Sequence, residues 1–117
     1  MKPNDERNLR RIVEFAEELE RVIEERGITP SLVTSDRFIQ WAVTTPLYNI
    51  GEYVPHLSKD LKSQYPDVPW SKVSGLRHRL VHDYEGTNWN VITQVVFVEL
   101  PLFIEQVRDL LKDSQSR

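Results

Sequence analysis

Between Trp70 and Tyr84 the chain gathers the side chains best suited to phosphate chemistry: Lys72, Arg77, His78, Arg79, His82 and Tyr84, with no acid before Asp83. Arginine presents a rigid fork of donors that matches phosphate oxygens, whereas lysine is a mobile point charge. Histidine exchanges a proton near neutral pH, so a histidine beside a bound phosphodiester can act as general acid or base. A tyrosine hydroxyl can hydrogen-bond a phosphate while its ring stacks on a base. Three plainer readings stand beside this one. The cations can form ordinary surface ion pairs. His78 and His82, four apart, have the spacing of two zinc ligands on a helix, but neither an intervening glutamate nor a third ligand is evident. Tyr84 can be a core aromatic with its hydroxyl at the surface.

These residues must be held by helices. Glycine is scarce, four in 117 residues, and the 28% of charged residues are of mixed sign, a pattern of helices rather than of a turn-rich β fold. Leu9, Ile12, Val13, Ala16, Leu19, Val22 and Ile23 recur every three or four positions, which predicts a helix from about Asp5 to Arg26 that stops at Gly27. A second helix is expected from about Asp36 towards Lys62, kinked or broken at Pro46 and Pro55. The prolines of Tyr65-Pro66-Asp67-Val68-Pro69-Trp70 predict a tight connection. A short helix should follow over about Ser71 to Val81, and a last one should start at an Asn88 cap, bend at Pro101 and reach about Lys112. The expected fold is all-α, a single domain of four to five helices in an up-and-down bundle. On an ideal helix positions 77 and 82 stand about 140° apart, so either the helix ends near His82 or a second copy of the chain completes the site.

Composition narrows the function further. With no cysteine, thiolate metal sites, iron–sulfur clusters and cysteine nucleophiles are excluded. Fifteen basic and eighteen acidic residues give a net charge of −3, unlike a protein that coats nucleic acid, though compatible with a small basic site. No run of about 18 apolar residues and no signal peptide is expected, which makes the cytoplasm the default compartment.

Arg77, four intervening residues, His82, one residue and Tyr84 resemble the arginine–histidine–tyrosine signature of the HepT-like proteins of the HEPN superfamily. Ile50-Gly51-Glu52, the Tyr65–Trp70 turn, Gly75-Leu76-Arg77, Tyr84-Glu85-Gly86 and Leu100-Pro101 are similar to further family motifs, in order, over about residues 36 to 112. The resemblance implies a HEPN bundle that forms a homodimer, bringing two motifs together. It implies a metal-independent RNase toxin without a cofactor, from a HepT/MntA-type toxin–antitoxin pair, silenced by a cognate MntA-like nucleotidyltransferase antitoxin. In that family role Arg77 would polarise the scissile phosphate of RNA. His82 would transfer the proton, and a 2′,3′-cyclic phosphate would result. Tyr84 would hold RNA and accept AMP, with Lys72, His78 and Arg79 as further substrate contacts. The alternative is a noncatalytic HEPN module that presents nucleotide or substrate to a nucleotidyltransferase. Thr45-Pro46 departs from the Arg-Asn pair of many relatives, and Glu52 can pair with Arg77 or Arg79 or touch substrate.

Overall fold

The computed structural model describes residues 1–82 and 86–115, with the side chains of Val81, His82 and Gln115 outside that description. All regular structure among the described residues is helical. Helix α1 (Pro3–Arg26) begins with proline in its first turn, where a missing N–H costs nothing, and ends on Gly27 at φ 60°. The Ile28 N–H then donates to the Ile23 carbonyl at 2.9 Å, closing the cap. Short α2 (Pro30–Ser35) is capped by Thr29, and α3 (Arg37–Tyr53) by Asp36, whose carboxylate accepts from the Ile39 N–H.

The second predicted helix is in fact divided. Helix α3 runs through Pro46 and stops before Pro55, where the backbone tightens into a 3-10 turn at Val54–His56. Ser58 then caps α4 (Lys59–Gln64). Helix α5 spans Trp70–His82, close to the predicted bounds. Asn88 caps α6 (Trp89–Gln94), accepting from the N–H groups of Asn90 and Val91. The bend expected at Pro101 takes the form of a π-helical turn, Val95–Glu99, leading into α7 (Leu100–Gln115). Pro101 has no N–H for the carbonyl four residues back, and the wider turn absorbs that break.

The core lies where α1, α3, α5 and α7 meet. Leu9, Ile12 and Ala16 of α1, Val43, Leu47 and Ile50 of α3, and Phe103, Ile104 and Val107 of α7 are all but inaccessible to solvent. Each large apolar side chain so buried contributes about 1.5–3 kcal/mol. Helix α3 packs against α1 on one side and α5 on the other, and α7 lies along α1. The Tyr65–Trp70 turn is anchored to the core. Trp70 Nε1 donates to the Tyr65 carbonyl at 3.1 Å, and its ring meets Phe103 edge-on at 6.0 Å.

The sequence has no uninterrupted run of about 18 apolar residues, but one helical stretch approaches the dimensions of a membrane span. The continuous helical run Trp89–Ser114 is long and apolar enough by length and composition. Its core-facing stripe, Ile92, Val95, Val96, Leu100, Phe103, Ile104 and Val107, is buried in the bundle, while Val91, Val98 and Leu102 are exposed.

Among the described residues one charge is buried, Asp5, at 3% exposure. Its carboxylate accepts from the Ser58 backbone N–H at 2.8 Å and the Ser58 hydroxyl at 2.6 Å, tying the first turn of α1 to the start of α4. Asp5→Ala leaves that N–H without its partner and is expected to destabilise the fold by about 1–3 kcal/mol, read as a lower urea midpoint. An unchanged midpoint would show that water replaces the carboxylate at no cost.

Candidate active site

Helices α3 and α5 cross at Gly51. A Cβ there would lie 3.1 Å from the Arg77 backbone nitrogen and 3.2 Å from the Val73 carbonyl oxygen, closer than ordinary packing. The missing side chain lets the two backbones approach, and Glu52, the next residue, comes beside Arg77. The Arg77 guanidinium donates from Nη1 to Glu52 Oε2 at 3.1 Å. The other carboxylate oxygen, Oε1, accepts the Tyr48 hydroxyl at 2.9 Å. Arg77 keeps 46% of its side chain exposed. The cation is thus both held and accessible.

This pairing sets protonation. The Tyr48 hydrogen bond, followed by the hydrogen bond and charge of Arg77 and the charge of His56, holds the Glu52 carboxyl below its ordinary value against an opposing push from burial. The bond to Glu52 raises the Tyr48 phenol, so its hydroxyl stays a donor. A depressed carboxyl stays ionised through its normal titration range, so the Glu52–Arg77 pair is complete at neutral pH. It is lost only as the pH falls through the lowered value.

The other predicted cations point elsewhere. Lys72 and Arg79, seven apart and nearly eclipsed on α5, line a groove of about 550 Å³ between α5 and α7, floored by Val73, Leu76, Leu100 and Phe103. Lys72 forms an ion pair there with Glu99 of the π-helical turn. The single basic patch expected from the sequence is therefore split, with Arg77 towards α3 and Lys72 and Arg79 towards α7. His78 is exposed on α5. Helix α5 persists through His82, so positions 77 and 82 stand about 140° apart around it. The His82 side chain and Tyr84 lie outside the described residues, as does any pairing of His78 with His82 around a metal. Among the described residues no three His, Cys, Asp or Glu side chains converge as metal ligands.

The description "Ribonuclease HepT-like" belongs to the family model that matches residues 6–110. The chain belongs to the HepT-like family. A candidate RNase of Caldanaerobacter subterraneus is 32% identical over 94 residues, which cover 80% of this chain and 81% of the relative. Another of Methanocaldococcus jannaschii is 37% identical over 78 residues, covering 67% and 64%. A candidate HepT ribonuclease of Thermococcus cleftensis is 32% identical over 66 residues, covering 56% and 60%. No solved structure matches. In HepT-like terms, the Ile50-Gly51-Glu52 motif has a physical reading, because Gly51 permits the helix crossing and Glu52 uses it to reach Arg77. Tyr48 and His56 escaped the sequence reading. Their signal was there, since 48, 52 and 56 recur every four residues and share one helical face.

Proposed function

We propose that this HepT-like chain is a metal-independent endoribonuclease and the toxin of a HepT/MntA-type pair. The observation that carries the proposal is Arg77, a half-exposed guanidinium held by Glu52 beside the close helix crossing at Gly51, in a chain whose relatives are named as RNases. Arg77 binds the scissile phosphate and offsets the charge that grows on its oxygens in the transition state, a role that preorganised donors fill well. His82 takes the proton from the ribose 2′-hydroxyl, whose oxygen attacks phosphorus. The bond from phosphorus to the 5′-oxygen breaks, that oxygen takes up a proton, and a 2′,3′-cyclic phosphate remains. Because positions 77 and 82 are separated around α5, a homodimer in which two motifs face each other supplies the second proton carrier. A cognate MntA-like nucleotidyltransferase silences the toxin by transferring AMP to Tyr84.

The pure protein should cleave RNA in EDTA, leaving cyclic phosphate ends detectable by mass spectrometry. His82→Ala should reduce cleavage by at least about 100-fold, the usual scale of general acid–base catalysis, with an unchanged melting temperature. A variant as active as the parent would show that His82 transfers no proton, and a parent that cleaves no RNA would favour the noncatalytic module. Co-expression with the nucleotidyltransferase should add AMP to the peptide that contains Tyr84, and AMP on another peptide would reject that site.

A further inference from the structure

Glu52 is placed for more than a surface ion pair. Its two carboxylate oxygens take different donors, Oε1 the Tyr48 hydroxyl and Oε2 the Arg77 guanidinium. Tyr48 and Glu52 are a helical turn apart on α3, and both are partly buried. The carboxylate therefore has one anchor on its own helix and one cargo on the next. Beside it, the Gly51 crossing fixes the backbone of Arg77 against α3.

An unrestrained arginine carries about 2 kcal/mol of rotamer entropy that must be lost each time it grips a phosphate. A carboxylate that already holds Nη1 removes much of that cost, and Nε and Nη2 of the same guanidinium are further donors with which to meet phosphate. A carboxylate swinging freely on α3 could not do this, which gives the Tyr48 bond its purpose.

From this geometry we infer that Tyr48 and Glu52 are positioning residues for Arg77, the hydroxyl fixing the carboxylate and the carboxylate fixing the guanidinium that receives RNA. This rests on the ribonuclease reading above. Neither residue touches the reacting atoms. Glutamine at position 52 keeps the shape, accepting from Arg77 through its carbonyl oxygen and donating to the Tyr48 oxygen through its amide. Alanine removes both contacts.

The test measures RNA cleavage across pH for Glu52→Ala, Glu52→Gln and Tyr48→Phe, with melting curves, together with the side-chain Nε–H signal of Arg77 by NMR. Misplacing a reacting group by about 1 Å costs about 100-fold, so Glu52→Ala should lose about that much in kcat with little change in KM. Glu52→Gln should recover to within about 5-fold of the parent, Tyr48→Phe should fall between, and the pH profile should keep its shape. The Arg77 signal should be sharp in the parent and Glu52→Gln and broadened in Glu52→Ala and Tyr48→Phe. Two results would overturn the inference. A faster Glu52→Ala enzyme would make the carboxylate a competitor of phosphate. Equal losses in Glu52→Gln and Glu52→Ala, with a changed pH profile, would make Glu52 a proton carrier. If the parent cleaves no RNA, the ribonuclease reading fails alone. The NMR comparison then still decides whether Tyr48 and Glu52 order Arg77: a signal equally sharp in all four proteins rejects it.

Discussion

Arg77→Lys should cleave RNA at least about 100-fold more slowly than the parent while melting at the same temperature. Lysine keeps the charge and can still reach Glu52, so charge alone is not what disappears. What goes is the planar fork, which holds Glu52 with one nitrogen and meets phosphate with others. Removing one preorganised donor from a developing oxyanion costs about 10²–10³ in rate, and an ammonium cannot replace two directed donors at once. Arg77→Ala should be at least as slow. Stability should hold in both, since the side chain is half-exposed and its ion pair with Glu52 lies at the surface. Cleavage assays on the purified variants, with melting curves as controls, make the check. A fully active lysine variant would mean that phosphate needs only a positive charge here, and the fork would lose its role.

The second large effect is expected at Gly51. Its neighbours are the Arg77 backbone nitrogen and the Val73 carbonyl oxygen, and backbone cannot swing aside as a side chain can. Gly51→Val must push α5 away from α3, at about 1–3 kcal/mol for overpacking, and it shifts Arg77 from Glu52 in the same movement. Stability and cleavage should therefore fall together. Gly51→Ala separates them. Alanine gains about 1 kcal/mol of helix propensity, which offsets much of the crowding, while the displacement of Arg77 remains. That variant should melt near the parent yet cleave more slowly. Gly75→Ala is the control, because a Cβ there meets nothing within 4 Å, so it should gain stability and keep activity. Equal activity in all three variants would show that the helix crossing does not set the position of Arg77.

How far these features could be read from the sequence depended on the range of the interaction. The bounds of α1 and the Asn88 cap were legible because local signals mark them, an apolar stripe ending in glycine and a side chain that accepts from nearby N–H groups. The prolines were only half legible. Pro46 and Pro55 looked equivalent, but α3 tolerates the first and yields a 3-10 turn at the second, a choice made by packing on α1 and α5. In the site, Arg77 was legible as a cation suited to phosphate, and its partner was not. Glu52 could have met Arg77 or Arg79, and the helix crossing at Gly51 decided for Arg77, 25 residues from Glu52 along the chain. Lys72 and Arg79 shared a segment with Arg77 but not a face of α5, because adjacency in sequence does not survive winding into a helix.

The π-helical turn at Val95–Glu99 has a meaning for how the chain can change length. A π turn holds one residue more than an α turn, so its excess is stored between two stretches that each keep ordinary periodicity. Deleting one residue within it would tighten the turn to α form and leave Ile92 before it and Phe103 after it facing the same core. Elsewhere in α7 the same deletion would rotate every later side chain by about 100°. That short segment is where homologous chains can gain or lose a residue in the middle of a core helix without repacking the bundle.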